Sequence, residues 1–477
     1  MLMKKIFKFL LIFIILYGCQ NSEEITHSYV GGEIINPINR KLTIFRSNKI
    51  IDSLELDNNN RFLTKIKSTE SGFYGFYHGS EYQLILLEPN DSITLRVNTL
   101  DFDESLSFSG VGSKKNNYLI NLFTKYENSR RKRGANLYRL NPTEFKNKID
   151  SIKLNEVRLL KKFTSSNPNS QLFKKVAMNT INYIFNSKKE AYRFIEMNNN
   201  DEIIYPENFY DFRKKIDYNN GLLDGFYQYY NFLFPHFDNL AYEKFVESYN
   251  SKSFSKGNLD YNMIKLDLID SLVQNIEIKS RLTSFITRRF LSFSKSKNET
   301  DKIYNHYLNI NNNPNNKEGN RVTSLYNSLI KLQKGKKLPI IELVSTNKIP
   351  VNINNLITNK SVIYFWSKNS KNSYKYSHDK VKELKEAYPN INFISINIDK
   401  INSNQWLSKL KRNSNYCNCN NCKLKFPVDE YKLRNVDIAK KLLGIQYIRK
   451  TIIVDSKMNI IESNINLFSD DFNELIN

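Results

Sequence analysis

The chain is poor in the residue types that most often bind metals or carry redox chemistry. Its 477 residues include five histidines and four cysteines. Four of the histidines are scattered along the chain and show no ligand spacing: His27, His78, His236 and His306. Long apolar runs are also scarce. The run at 9–17 is shorter than the roughly 20 residues that a membrane-spanning helix needs, and no second run is long enough. The composition therefore excludes a chain built from membrane-spanning helices.

The short apolar run has the flanks of a secretory signal. Lys4, Lys5 and Lys8 supply a charged start, and the run stops at Gly18-Cys19. The ending Leu-Tyr-Gly-Cys resembles a bacterial lipobox, which implies that Cys19 accepts a diacylglyceryl group and becomes the new N-terminus. Gln20 follows the cysteine, which favours the outer membrane of a Gram-negative envelope. An ordinary cleaved signal with an incidental cysteine, or an uncleaved anchor, stays open.

The net charge of +23 invites a nucleic-acid interpretation, which the pattern does not favour. The lysines are spread along the chain and mixed with many Asn, Ile, Tyr and Phe residues. The chain also carries an export signal. We expect no nucleic-acid partner, but the excess charge should bias the protein toward anionic surfaces.

The remaining sequence divides into three predicted parts behind the signal at 1–19. Residues 25–110 predict a β-rich, sandwich-like domain, because short strands such as 92–98 alternate apolar and polar positions between turn signals. Residues 113–335 predict a helical middle, since apolar residues recur there at helical spacing. Its aromatic stretch at 226–237 predicts helical core, with a ligand-stacking surface as the alternative. Residues 336–477 alternate strands and helices and end in a hairpin, which predicts an α/β layer.

The fully apolar strand at 362–366, with Trp366 at its end, opens this last part. The order of elements resembles the membrane-anchored, thioredoxin-like disulfide reductases of the bacterial envelope. That family places Cys-x-x-Cys in the loop after this strand, and the thiol positions are here Ser370 and Ser373. A serine hydroxyl neither ionises near neutral pH nor forms a disulfide. The resemblance therefore implies a thioredoxin-like fold whose dithiol chemistry is missing at its usual site.

A second departure from the family agrees with the first. The family keeps a cis proline just before the penultimate strand, and this chain has Arg449 there. A cis bond before a non-proline residue costs roughly 3–4 kcal/mol, so we expect Ile448–Arg449 to be trans. Two independent losses indicate that the redox role is relaxed.

A serine nucleophile is the alternative use of this loop. It needs a histidine base within reach, oriented by a third group. His378 lies on the following predicted helix, but Asp379 is its neighbour, and adjacent helix residues point apart. We therefore expect His378 to be a solvated helix residue and Ser370 not to be a nucleophile.

The other chemical candidate is the Cys417-Asn418-Cys419-Asn420-Asn421-Cys422 segment. Three interpretations stay open. Cys417–Cys422 or Cys419–Cys422 forms a structural disulfide in an oxidising compartment; the thiolates bind Cu(I) or Zn(II); or the redox dithiol has moved here.

The sequence thus predicts an envelope lipoprotein with a β-rich domain, a helical middle and a thioredoxin-like α/β domain. We expect the last part to bind a protein or peptide partner without a cofactor. The groove beside the Ser370 loop, formed by Trp366, Ser370, Ser373 and Arg449, is the predicted site, and Arg449 favours an acidic partner. A thiol-disulfide oxidoreductase or a metal-handling protein that uses the cysteine segment is the alternative.

Overall fold

We analysed a computed structural model of the chain. It describes residues 27–47, 49–67, 69–79, 81–167, 169–196, 204–249, 255–294, 296–311, 316–368, 370, 373–413 and 429–476, with backbone only at 128–135, 196 and 411–413. The chain divides into two compact units, Met1–Asn239 and Leu240–Asn477. Each is described by itself. The predicted division into three parts stays a prediction.

The first unit begins with eight strands and one short helix. They are β1 (His27–Ile35), β2 (Lys41–Arg46), β3 (Lys49–Glu55), β4 (Arg61–Lys67), β5 (Gly72–His78), β6 (Glu81–Leu87), β7 (Ser92–Asn98), α1 (Phe102–Ser105) and β8 (Ser107–Val111). Their hydrogen bonds form two four-stranded sheets with the orders β4-β1-β7-β8 and β3-β2-β5-β6. This part of the chain is therefore a pair of sheets.

Apolar alternation along the strands explains why the two sheets pack together. In β7, Ile93, Leu95 and Val97 are buried and their neighbours are exposed or half-buried. Side chains of a strand point alternately to the two faces of its sheet, so this pattern gives one apolar face. Buried residues of both sheets, among them Ile34 and Phe76, form one core. The sandwich-like arrangement predicted from the alternation is observed in these strands.

Helices follow the strands. They are α2 (Ser113–Leu137), α3 (Pro142–Ser166), α4 (Gln171–Glu196), α5 (Tyr227–Tyr249), α6 (Leu259–Leu272), α7 (Ile276–Phe293), α8 (Lys297–Ile310) and α9 (Lys317–Lys331). Asparagines cap four of their N-termini: Asn141, Asn258, Asn275 and Asn316 accept hydrogen bonds from the first backbone N–H groups. Because those N–H groups have no partner inside the helix, each cap stabilises its helix by about 1 kcal/mol. The abundant asparagine thus sets helix boundaries.

The aromatic stretch at 226–237 is largely core, as its composition predicts. Tyr229, Phe232 and Phe237 are fully buried in α5. Tyr227 is nearly half exposed and Phe234 is half-buried. The stretch therefore has a buried side and an accessible side.

The second unit ends in one seven-stranded sheet. Its elements are β9 (Glu342–Ser345), β10 (Pro350–Asn352), β11 (Ser361–Trp366), α10 (Ser373–Ala387), β12 (Asn392–Asn397), α11 (Ser403–Asn413), β13 (Asp429–Leu433), α12 (Val436–Leu442), β14 (Thr451–Val454), β15 (Ile460–Ile465) and α13 (Phe472–Ile476). The strand order is β10-β9-β13-β12-β11-β14-β15. The pairs β11–β12 and β12–β13 are parallel and the other four are antiparallel.

The two faces of this sheet are buried in different ways. Ile363, Ile396 and Ile452 lie on one face, in an aliphatic core that includes Ala439 of α12. Alternate residues such as Val362 lie on the other face, against α10 and α13. Because both faces are covered, β11 is buried at every position, which explains its unbroken apolar sequence. The predicted α/β layer is observed, and the mixed α/β class is confirmed.

No helix among the described residues is both long and apolar enough to cross a membrane. Residues 1–26, with Cys19, lie outside the described residues, so lipidation of Cys19 stays a prediction.

Lys450, just before β14, is a buried cation. Its Nζ lies 3.4 Å from the carbonyl oxygen of Gly444, and burial lowers the pKa of Lys450 to about 8, against a smaller raising effect of Glu462. An ordinary lysine titrates near 10.4. The unfolded chain therefore binds more protons than the folded chain between about pH 8 and pH 10.5, and stability rises with pH across that window.

We predict that Lys450→Met stabilises the second unit at pH 7 by up to about 3 kcal/mol, because it removes a cation that is costly to bury. The gain should vanish as the pH approaches 10.5. Thermal unfolding followed by tryptophan fluorescence measures it, since Trp366 and Trp406, the chain's two tryptophans, both lie in this unit. Lys457→Met, at an exposed turn residue, is the control. A pH-independent difference would contradict the prediction.

Candidate functional site

The candidate site lies where β11 runs into α10. β11 and β12 are parallel, with Trp366 opposite Asn397, so both strands end at the same edge of the sheet. In open α/β sheets, ligands bind at the carboxyl ends of the strands. The loop from Ser367 to Ser373, called here the serine loop, begins at this edge. Of its residues, Ser367, Lys368, Ser370 and Ser373 are described.

Asp399, two residues beyond β12, holds the start of the serine loop. Its Oδ1 accepts a hydrogen bond from the Ser367 hydroxyl at 2.5 Å, and its Oδ2 accepts one from the backbone N–H of Lys368 at 2.7 Å. The side-chain amide of Asn397 also donates to Oδ2, at 3.0 Å. Asp399 is buried. Hydrogen bonds to a carboxylate are about twice as strong as neutral ones, so this contact fixes the loop at its root.

The two predicted serines shape the turn that leads into α10. The N–H of Ser370 donates to the Ser367 carbonyl at 3.3 Å, and the N–H of Ser373 donates to the Ser370 carbonyl at 3.1 Å. The Ser373 hydroxyl donates to the Ser367 carbonyl at 3.1 Å. Ser373 is thereby engaged in holding the turn, and Ser370 is half-buried beside it. The structure brings Ser370 and Ser373 together in the turn that leads into α10, and their correspondence to the family's thiol positions stays a prediction.

A buried carboxylate lies beneath the loop. The Glu430 side chain, on β13, is 0% exposed. Its Oε1 lies 2.5 Å from Nε2 of His378 on α10, and its Oε2 accepts a hydrogen bond from the Trp366 indole at 3.3 Å. The cross-strand pairs Tyr364↔Ser395 and Ser395↔Glu430 place these residues in one row on this face. Glu430 thus links β13 to β11 and to α10.

The hydrogen bonds of His378 define where its protons lie. Nδ1 is 2.7 Å from the carbonyl oxygen of Tyr374, which can only accept, so Nδ1 carries a proton. Nε2 of His378 and Oε1 of Glu430 then share one proton, which lies either on the nitrogen or on the oxygen. Either state satisfies both groups, which a buried carboxylate requires.

His378 corrects the sequence interpretation. The helix pattern predicts a solvated residue, but the ring is buried, with 6% of the side chain exposed, and stacks 3.7 Å from the ring of Tyr374. The interpretation was wrong because its partner, Glu430, is distant in sequence and is brought to α10 by the sheet. Both ring nitrogens are engaged with Tyr374 and Glu430, so His378 does not serve as the base for a Ser370 nucleophile.

Two buried tryptophans lie next to the serine loop. Trp366 and Trp406 are 0% exposed and share a small cluster with Tyr374 and Leu410. Trp366, predicted as a binding residue, is fully enclosed, so any effect of Trp366 on a ligand passes through the loop that it anchors.

Arg449 lies at the same edge as Trp366. β14 pairs antiparallel with β11, with Thr451 opposite Tyr364, and Arg449 lies in the turn two residues before Thr451. Arg449 is exposed, as is Lys368. No described peptide bond is cis, so Ile448–Arg449 is trans, as predicted. Burial lowers the pKa of Lys440 on α12, and the nearby negative charge of Asp399 opposes this by raising it. Arg449 and Lys368 are thus exposed cations at this edge, and the exposed carboxylate Asp437 near Lys440 is paired with Lys400 at 2.7 Å.

The cysteine candidates stand apart from this geometry. Cys417, Cys419 and Cys422 lie in 414–428, outside the described residues, so the three interpretations of the segment stay predictions. Among the residues that the structure describes, no group of three or more His, Cys, Asp or Glu side chains is placed to hold a metal ion.

Sequence reasoning missed Asp399 and Glu430 as site residues. Asp399 was visible as the residue ending a strand segment, and the carboxyl end of a parallel strand is a usual place for function. Glu430 is a lone acidic residue in a short strand, and nothing in the sequence indicates its partners.

Comparison with known proteins bears on this part of the molecule. No protein-family profile matches the chain, and no curated protein matches it. Solved structures do: a candidate thiol-disulfide oxidoreductase from Bacteroides vulgatus is 19% identical, with 31% of this chain and 96% of that chain covered and a TM-score of 0.26.

Two further solved structures match a similar share of the chain at similarly low identity. The thioredoxin domain of a thiol-disulfide oxidoreductase from Bacteroides vulgatus is 14% identical, with 31% of this chain and 99% of the other covered and a TM-score of 0.23. The C-terminal domain of a candidate thiol-disulfide oxidoreductase from Bacteroides thetaiotaomicron is 19% identical, with 31% and 97% covered and a TM-score of 0.24. The structural neighbours are thus thioredoxin-like proteins, over about a third of the chain and at low identity. The description of the fold rests on the strand order and register given above.

We predict that Glu430→Leu lowers the free energy of unfolding of the second unit by about 3 kcal/mol, because it leaves His378 and the Trp366 indole N–H buried without their acceptor. Glu430→Gln should cost less than about 1 kcal/mol. Its amide N–H₂ can donate to Nε2 of a neutral His378 while its oxygen accepts from Trp366.

Urea unfolding followed by tryptophan fluorescence compares the two variants, and the adjacent Trp366 should also report a changed emission in Glu430→Leu. Equal losses in the Gln and Leu variants would show that the hydrogen bonds of Glu430 do not hold this site.

Proposed function

We propose that the second unit binds an extended, acidic segment of a partner protein at the serine loop and performs no dithiol chemistry there. One observation carries this proposal. The two positions that would hold thiols are serines, and their polar groups are used to hold the turn.

The chemistry available at the loop supports binding over catalysis. Hydroxyls at Ser370 and Ser373 cannot exchange with a disulfide, because the attacking species in that reaction is a thiolate. His378 is bonded to Tyr374 and Glu430, so it is not available to activate Ser370. Asp399 is engaged with Ser367 and Lys368. What the described loop residues offer is a set of hydrogen bonds that hold Ser367, Lys368 and Ser373 in place.

Preorganisation is the property that a binding site needs. A loop whose backbone is already bonded loses little conformational entropy when a partner binds, so more of the contact energy appears as affinity. Asp399 at the root of the serine loop and Ser373 at its end provide such bonds. The loop therefore has the physical character of a recognition surface.

The charge at this edge favours an acidic partner. Arg449 and Lys368 are exposed cations, and the protein as a whole carries +23. Complementary charge raises the association rate and selects against basic partners. Because the groups are exposed, salt should weaken the attraction.

We predict that Arg449→Glu weakens binding of extended Asp- and Glu-rich peptides about tenfold. Replacing an attractive surface charge with a repulsive one changes the binding energy by roughly 1–2 kcal/mol. Peptides are selected from a displayed library on the purified protein and titrated by tryptophan fluorescence, since both tryptophans lie at this edge.

Lys457→Glu is the matched control. It makes the same charge change in the turn between β14 and β15, at the opposite end of β14 from Arg449. If Lys457→Glu weakened binding as much as Arg449→Glu, the attraction would be a property of the net charge and the proposed site would be wrong. The same holds if Arg449→Glu left the titration unchanged.

A further inference from the structure

A large cavity lies in the first unit. Its volume is about 770 Å³. It opens among α2, α3, α4 and α5, and its wall includes Phe123, Ile152, Ile184 and Phe234 from these helices in turn. We call it the α2–α5 cavity. Its volume is within the range of roughly 300–1,000 Å³ that small-molecule sites occupy.

The wall of the cavity is built for an apolar ligand. Aliphatic and aromatic side chains dominate it. None of its described residues has a buried polar side-chain atom without a hydrogen-bond partner. The hydroxyl of Tyr126, a wall residue, donates to Glu156 at 2.8 Å. The buried polar atoms of the described wall are therefore already paired, and the apolar part of the space offers water few hydrogen bonds.

A buried network on α4 and α5 keeps the cavity from collapsing. Glu190, next to the wall residue Ala191, lies 2.7 Å from His236, next to the wall residue Pro235. Arg213 donates two hydrogen bonds to the same carboxylate, at 2.8 and 2.6 Å, and Asn239 donates a third at 2.8 Å. Glu190 and His236 are 0% exposed. Loss of this geometry would leave buried charge unpaired, so the two helices are fixed relative to each other.

The charged residues of the wall select an anion. Lys148 on α3 and Lys188 on α4 line the cavity, together with one carboxylate, Glu127 on α2. Lysine ammonium groups therefore lie at the margin of an apolar space, where they can donate hydrogen bonds to a ligand. An occupant with an apolar body and one negative end satisfies both features.

We propose that the α2–α5 cavity binds a free long-chain alkyl carboxylate, with the chain among the aromatic and aliphatic side chains and the head group near Lys148 and Lys188. The accessible side of the aromatic stretch in α5, Tyr227 and Phe234, forms part of this wall. The stretch thus contributes to the core on one side and to the ligand site on the other.

Isothermal titration of the purified full chain with carboxylates of eight to fourteen carbons tests the proposal. Burying one methylene is worth ~0.8 kcal/mol, so affinity should rise about fourfold per added CH₂ until the cavity is full, with one molecule bound per chain. The alcohol of the same length should bind more weakly than the carboxylate. Equal binding of the two, or no saturable binding, would overturn the proposal.

Two kinds of variant locate the site. Lys148→Gln with Lys188→Gln should weaken the carboxylate about tenfold and leave the alcohol unchanged, and Lys161→Gln, at an exposed position of α3 outside the wall, should change neither. Ile184→Trp should abolish binding of both by filling the space. Because this variant risks misfolding, the charge-selective effect of the lysine pair keeps the proposal falsifiable alone.

Phosphatidylglycerol vesicles distinguish a free carboxylate from a membrane lipid. We expect the wild-type affinity, expressed in free dodecanoate after its partitioning into the vesicles is subtracted, to be the same with and without vesicles. Competition by vesicles that disappears in the lysine-pair variant would mean that the cavity takes a lipid, and would overturn the assignment to a free carboxylate.

Discussion

The enclosed carboxylate of Glu430 is the constraint on which the C-terminal sheet and its loop depend. A charged or polar group that is removed from water must be paired, because its desolvation is not otherwise compensated. Glu430 finds its partners in His378 of α10 and in Trp366 at the end of β11. One buried group thereby positions the strand that enters the serine loop and the helix that leaves it. The position of the serine loop follows from an interaction that the loop itself does not contain.

Polar groups other than thiols hold the described residues of the serine loop. Asp399 bonds the root of the loop, and the Ser373 hydroxyl bonds the Ser367 carbonyl across the turn. A serine is close in size to a cysteine, but its hydroxyl is the better hydrogen-bond donor. Substitution at these positions is therefore compatible with a well-formed loop, while the chemistry that needs a thiolate is lost. Conservation of shape without reactivity is the basis for proposing recognition as the role of this edge.

The sequence predicted the parts of the fold that local pattern controls. The unbroken apolar run of β11 and the alternation in β7 each follow from a short segment, and the structure has both strands at those places. The position of Ser370 and Ser373 at the turn before α10 was also predictable, because the loop directly follows a recognisable strand. Local periodicity determines which residues are buried, and burial determines the elements.

The rest depended on contacts between distant segments. In the sequence, His378 is one polar residue of a predicted helix, and its partner Glu430 reaches it only through the position of β13 in the sheet. In the same way, Asp399 is only the end of a predicted strand, and it lies beside Ser367 because β11 and β12 are parallel. The α2–α5 cavity shows the same limit. Helical spacing indicates which faces turn inward, but the volume left between four helices depends on how their axes pack. Buried polar partners and internal space are properties of the tertiary structure.

The central proposal is that the second unit acts by binding a partner at the serine loop and does not act as a disulfide reductase. Insulin-disulfide reduction by the purified protein tests it directly, beside a variant with Cys417→Ser, Cys419→Ser and Cys422→Ser and a dithiol reductase as positive control. The account predicts no reduction above background by either form. Reduction by the wild-type protein that disappears in the triple variant would contradict it and would assign the redox centre to the cysteine segment.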